Sequence, residues 1–229
     1  MAIIMVMVMI TAARMIIEPQ KWLHCLTWLS PAFPIGAFAY SHGLEWAVAA
    51  GDVTDRNALC AWLGELLHSG SGRNDAILLC SAYRAAQSPA LLTEIAELAS
   101  ALAPASERRA ETLAQGAAFA RAAGAWGGTV AAALPVAFGA LAARHGIGEE
   151  AAVLGYLHAF SANLISAGVR LIPLGQSDGL WVQAALAAEI LVLAGEIRSQ
   201  TLDDLGAACF RADIASMRHE TQYTRLFRS

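Results

Sequence analysis

The sequence predicts an all-α protein, a single-domain bundle of roughly eight to ten helices, and three observations carry that prediction. Apolar residues recur at three- and four-residue spacing along nearly the whole chain. β-Branched runs with period-two alternation are missing beyond the first seventeen residues. Helix-opening and helix-closing residues fall between the periodic segments. A chain of 229 residues suits one domain, and it holds no repeat of 20–50 residues and no biased linker to divide it. The expected organisation is a flexible extension over residues 1–20, then one helical domain over 21–229 that ends in a partner-binding tail.

The elements follow in order. Trp22, Leu23, Leu26 and Leu29 mark a first helix that stops before Pro31. Ser41 is placed to cap a helix through Ala50, which Gly51 ends. Thr54 is expected to cap the next, where Leu59, Trp62, Leu63, Leu66 and Leu67 share a face. "SGSGR" at 69–73 reads as a turn, and a helix then runs to about Gln87. Ser88-Pro89 opens another helix with an N-cap and a Pro at the first helical position, and Pro104 marks a further opening. The remaining helices are expected near 105–124, 129–144, 149–172, 177–198 and 206–219.

Composition narrows the function classes. Hydrophobic residues make up 57% and charged residues 15%, against roughly 45–50% and about 25% in typical domains. Such a chain has ample core material and apolar surface to hide in an oligomer or a complex. The net charge of −4 gives no support to nucleic-acid binding. Lys21 is the only lysine, so no phosphate-binding G-x-x-x-x-G-K-[ST] loop exists, and any nucleotide chemistry belongs to a partner. Four cysteines, Cys25, Cys60, Cys80 and Cys209, form no C-x-x-C and sit in apolar helical contexts. That pattern fits a reducing compartment, and a cytoplasmic location is expected.

Two stretches require a membrane test. "MAIIMVMVMITAARM" is too short to span a bilayer, which needs about 20 residues, and has no basic residue before its apolar run. Residues 1–17 remain a candidate for weak contact with a membrane surface. Ala122 to Ala143 is uncharged over its whole length, but it is mainly Ala and Gly with Pro135 inside. A close-packed pair of helices accounts for it, and no stable membrane insertion is expected.

Catalysis and metal binding find little support. Ser41, His42 and Glu45 fall within five residues, and "AYSHG" has the outline of a nucleophile elbow. An elbow needs a strand before the serine, and Ser30-Pro31-Ala32-Phe33-Pro34 cannot supply one. A serine hydrolase centred on Ser41 is therefore the alternative reading; the first reading gives Ser41 to an N-cap and Glu45 to the first helical turn. His219-Glu220 begins like H-E-x-x-H, but Tyr223 stands where the second histidine belongs. No metal site and no cofactor is expected from this chain alone.

Two segments read as surfaces. Residues 30–46 carry Phe33, Phe38, Tyr40 and Trp46 on a corner stiffened by Pro31, Pro34 and Gly36; rigid aromatic residues make good anchors, and an irregular core-packing corner is the equal alternative. The C-terminal "RADIASMRHETQYTRLFRS" interleaves Arg211, Arg218, Arg225 and Arg228 with Ile214, Met217, Tyr223, Leu226 and Phe227. Terminal apolar and arginine residues in this mixture fit a segment that orders on a partner, or a tail packed on its own domain.

Three motifs then carry a resemblance. "SPAFPIGAFAYSHGLEWAV", "SAGVRLIPLGQSDG" at 166–179 and the terminal "MRHETQYTRLFRS" together resemble the UreF family of urease accessory proteins, in order and spacing, over roughly residues 20–229. Ala37 departs from a second Gly that many members carry after Gly36. The resemblance implies a non-catalytic, all-α, dimeric chaperone for nickel insertion. It would bridge a UreD-like (UreH-like) protein and the GTPase UreG and act on apo-urease. It would couple GTP hydrolysis to nickel delivery and help form the route by which nickel reaches urease. Nickel and GTP would belong to the partners. By resemblance, His219, Glu220, Arg225, Leu226 and Phe227 dock on the UreD-like protein. Tyr40, Ser41, His42 and Glu45 contribute to a partner-facing surface, and Arg170 and Gln176 fall at the homodimer contact.

Overall fold

The computed structural model describes residues 18–229, and α-helices dominate it. They are α1 (Pro19–Trp28), α2 (Leu44–Ala49), α3 (Arg56–Ser69), α4 (Ser71–Arg84), α5 (Pro89–Ala101), α6 (Ser106–Ala122), α7 (Leu134–Arg144), α8 (Glu149–Leu171), α9 (Gln176–Ile197) and α10 (Phe210–His219). Short 3₁₀ turns lie at Ala37–Ala39, Ala123–Trp126 and Leu202–Asp204. No strand occurs among the described residues, so the all-α, single-domain expectation holds. The apolar run of residues 1–17 lies outside the described residues.

Helix α4 is the axis of the bundle. It packs on α3, α5, α7, α8 and α9, and Ala76, Ile77, Leu79, Cys80 and Ala82 along it are buried. Small residues bring α7 close: a Cβ at Gly139 would lie 2.4 Å from the Leu79 carbonyl oxygen of α4. The uncharged 122–143 stretch is thus mostly a core helix and its approach, with Pro135 through Ala142 buried. Helices α8 and α9 are each long and apolar enough to cross a membrane by length and composition alone. They pack on one another and on α3 and α4. The outer face of α9 leaves Leu180, Trp181, Leu191 and Val192 exposed.

Several boundaries differ from the sequence expectation. Asp55, not Thr54, caps α3: its carboxylate accepts the N–H groups of Asn57 and Ala58 at 2.8 and 2.9 Å, and a carboxylate is the better acceptor at a helix N-terminus. The expected turn at 69–73 shrinks to Gly70, because α3 runs through Ser69 and α4 begins at Ser71. Helix α7 starts at Leu134 rather than 129, since Gly127 and Gly128 are left-handed and divert the chain. Ser88 caps α5 as expected, accepting from Leu91 N–H.

Helix α10 packs against α2 and α6. That contact brings the two sequence-predicted surface segments together, with the final ten residues lying over the N-terminal ends of both helices.

Candidate functional site

The corner before α2 is built on backbone that helices do not tolerate. His42 and Gly43 have φ of 57° and 76°. Left-handed backbone at two successive positions delays the helix to Leu44 and puts Gly43 in the N-cap position, while the Ser41 hydroxyl still caps the helix by accepting the Glu45 N–H at 3.3 Å. Gly43 is obligatory for a second reason: a Cβ there would lie 2.5 Å from the Ser216 amide nitrogen of α10. Positive φ at a non-glycine residue such as His42 costs on the order of 1 kcal/mol and persists only where its surroundings hold it.

The C-terminal segment supplies those surroundings. Glu45 is buried, and its two carboxylate oxygens accept the Leu226 and Phe227 N–H groups at 2.6 and 2.9 Å. The Ser41 N–H and hydroxyl both donate to the Ser229 carbonyl oxygen, at 2.8 and 2.6 Å. The Arg228 N–H donates to Ala39 O at 2.8 Å. Arg170 of α8 donates to Phe38 O at 2.9 Å and lies 4.4 Å above the Phe227 ring. Arg228 stands 5.9 Å from the centre of the Tyr40 ring. The chain end is thus threaded between the corner and α6.

Two histidines tie this thread to α6. His219 is fully buried. Its Nδ1 lies 2.6 Å from a Glu107 oxygen and its Nε2 lies 3.1 Å from a Glu45 oxygen. Both contacts are donating ones only when the ring is an imidazolium. Arg225 closes the other side of Glu107 at 2.6 Å. Glu220 accepts the Ser106 N–H at 2.8 Å, capping α6 from across the fold, and that bond holds its carboxyl below the usual value.

Beneath this layer Glu111 accepts from Arg108, from His42 Nε2 at 2.7 Å, from Gln115 at 2.9 Å and from the Ser229 hydroxyl at 2.5 Å. Burial by itself would raise the Glu111 carboxyl, but Arg108 and His42 outweigh it and hold it at about 2. Burial lowers His42 below 6.5. A depressed carboxyl contributes stability that is present above its unfolded value and is lost as pH falls through the folded one. Unfolding followed by denaturant at several pH values will therefore show stability falling between pH 4.5 and about 2. Glu111→Gln will flatten that limb while lowering stability at pH 7.

The structure separates the three residues of the imagined triad. Ser41 is fully buried with its hydroxyl on Ser229, His42 is turned onto Glu111, and Glu45 holds the tail. No nucleophile–base contact forms among them, and proximity in sequence did not become a catalytic arrangement.

The residues expected to form a surface divide in two. Tyr40, Ser41, His42, Glu45, His219 and Phe227 are interior in the isolated chain. Arg225 and Leu226 are exposed, the latter by 76%, and Glu220 is half-buried. Of the four corner aromatics only Phe38 is exposed; Phe33 packs on Phe119 and Trp126. Beside them α10 carries an exposed stripe of Phe210, Ile214 and Met217, followed by Tyr223. Arg170 and Gln176 are exposed at the turn from α8 to α9.

Glu107, Arg108 and Glu111 were missed by sequence reasoning. In "SERRAETLAQ" they read as solvated charge on an exposed helix. Arg108 pairs with Glu111 three residues on, but the other partners of Glu107 and Glu111 include residues 69 to 118 positions away, a separation at which one sequence carries no pairing signal. Among the described residues no group of three or more His, Cys, Asp or Glu side chains converges as a metal site. The cysteines are free, and burial pushes Cys25 up to about 11 and Cys80 to about 12, so both are inert as thiolates.

Comparison with known proteins gives a consistent result. A family model described as UreF matches residues 53–187. The chain is 53% identical to a urease accessory protein UreF of Rhodopseudomonas palustris strain TIE-1, over 89% of this chain and 90% of that one. It is 49% identical to a protein of the same name from Bradyrhizobium sp. strain BTAi1, over 96% and 97% of the two chains. A third, from Rhizobium leguminosarum bv. viciae, is 50% identical over 93% and 98%.

Proposed function

The chain belongs to the UreF family of urease accessory proteins, and on that premise we propose that it is a non-catalytic adaptor that docks on a UreD-like (UreH-like) protein, recruits the GTPase UreG and activates apo-urease. Nickel and GTP are carried by those partners. The adaptor couples GTP hydrolysis to nickel delivery only to the extent that it prefers one nucleotide state of the GTPase over the other.

One observation carries the reading: a buried polar knot holds the chain end while leaving its apolar side chains in solvent. Tyr223 and Leu226, with Phe210, Ile214 and Met217 of α10, are exposed apolar residues interleaved with Arg211, Arg218 and Arg225. Large exposed apolar residues rimmed by arginine are the composition of a protein interface. Partner contact falls on these exposed groups. Glu45, Ser41, His42, His219 and Phe227 act beneath them by fixing the path. The outer face of α9, with Gln176 at its leading end and Arg170 at the end of α8 before it, is a second apolar surface and the proposed homodimer contact.

The test is co-purification of the tagged chain with co-expressed UreD-like and UreG-like proteins, comparing full length with a chain ending at Phe210. Loss of the complex from a truncated chain that still shows helical circular dichroism supports the reading. Equal capture by both chains overturns it.

A further inference from the structure

Helices α4, α6 and α8 do not close completely on one another. A cavity of about 280 Å³ lies between them, walled by Phe33, Phe119, Phe138 and Phe160 and roofed by the 30–38 loop. A second cavity of about 240 Å³ opens on the other side of α4. Asp75, Arg108 and Thr112 line both, so they form the partition.

Asp75 is the unusual member of that partition. It lies deep among the three helices yet keeps some accessible surface, and that surface faces the cavities. Its Oδ2 accepts the Tyr156 hydroxyl at 2.8 Å, and its Oδ1 has no hydrogen-bond partner among the described residues. The neighbouring charges are already engaged: Arg108 pairs with Glu111, and Glu111 also accepts from His42, Gln115 and Ser229. Burial lowers His42 below its ordinary value, so its ring is neutral at pH 7.5. Asp75, Glu111 and Arg108 together leave one negative charge facing an aromatic-walled space. Burial also raises the Asp75 carboxyl, to about 6, which leaves it ionised at pH 7.5 and protonated in mild acid.

We propose that this cavity is a binding site for a small organic cation, an apolar or aromatic body carrying a primary ammonium, seated on the Asp75 carboxylate. Size permits it, since an apolar cavity of about 150 Å³ already accepts benzene. The aromatic walls favour a ring and the faces of those walls favour a cation. An inorganic divalent ion fits less well, because among the described residues no three metal-ligating side chains converge and a lone carboxylate does not replace its hydration shell.

The test uses the full-length chain and three isosteric probes, benzylamine, benzyl alcohol and benzoate, with affinities read by ligand-observed NMR. At pH 7.5 benzylamine should bind about tenfold tighter than benzyl alcohol, and benzoate should not bind. The benzylamine advantage should disappear below pH 6. The other titratable groups facing the site, His42 before α2, Arg108 and Glu111 on α6, and Tyr156 and His158 on α8, are controlled by Asp75→Asn. That variant should lose the advantage at every pH while keeping benzyl alcohol binding. Ala162→Phe, which adds bulk to the cavity lining, should remove binding of all three probes without disturbing Asp75. Equal affinities for the three probes, no binding at all, an ammonium preference that survives Asp75→Asn, or binding that survives Ala162→Phe would each overturn the proposal.

Discussion

Glu45→Ala will lower stability by about 3 kcal/mol and release residues 220–229 from the fold. The wild-type carboxylate is buried, accepts two backbone N–H groups of the tail and faces the His219 ring. Its loss leaves two amides without acceptors in the interior and a histidine with one carboxylate instead of two. Undocking the tail into water relieves the orphaned amides, so the expected product is a helical body with a mobile end. Trypsin reports this directly, because Arg225 and Arg228 become cleavable at enzyme levels that spare the wild type. Glu45→Gln keeps an acceptor and should retain the tail with a smaller loss. A Glu45→Ala protein with wild-type protease resistance would show that the knot does not hold the tail.

Gly116→Ala will be at least as damaging, by about 3 kcal/mol, for a steric reason. A Cβ at Gly116 in α6 would lie 1.7 Å from the Ala132 carbonyl oxygen, closer than any side chain approaches a backbone atom. Relief requires moving the segment that leads into α7, where Ala132, Ala133 and Val136 are buried and Thr129 donates to Ala137 O at 2.9 Å. Overpacking of a closed core costs roughly 1–3 kcal/mol, and more when backbone is the obstacle. Gly195→Ala is the control. It sits inside α9 with open space around it, and the change should be neutral or stabilising by up to about 1 kcal/mol. Equal denaturant midpoints for the two variants would refute the packing account.

The fold was largely legible because its signals are local. The Leu59 to Leu67 periodicity and the Ser88-Pro89 opening each act within a few residues, and each forms the expected element; the alanine–glycine stretch before Arg144 holds a 3₁₀ turn and the single helix α7 in place of the expected pair of helices. Misplaced boundaries have local causes that residue types do not reveal. Asp55 competes with Thr54 one position away, and His42 adopts a conformation for which histidine has no strong preference. The site was legible only in part. The two end segments advertised themselves by composition, but their mutual contact did not. Glu45 reads as ordinary first-turn charge until Leu226 and Phe227 arrive from 181 and 182 residues away. The same long-range closure puts Ser41, His42 and His219 inside, where the family resemblance implies a partner-facing surface.

The adaptor reading is tested most directly by urease activity in cells whose own copy has been removed. The chain is resupplied as wild type or as a Tyr223→Asp, Leu226→Asp double variant. Both side chains are exposed and make no contact that the knot needs, so the variant should express and melt like wild type. The account predicts urease protein at normal abundance with its activity reduced to the level of the deletion. Full urease activity from the double variant, at equal abundance of the accessory chain, would contradict it.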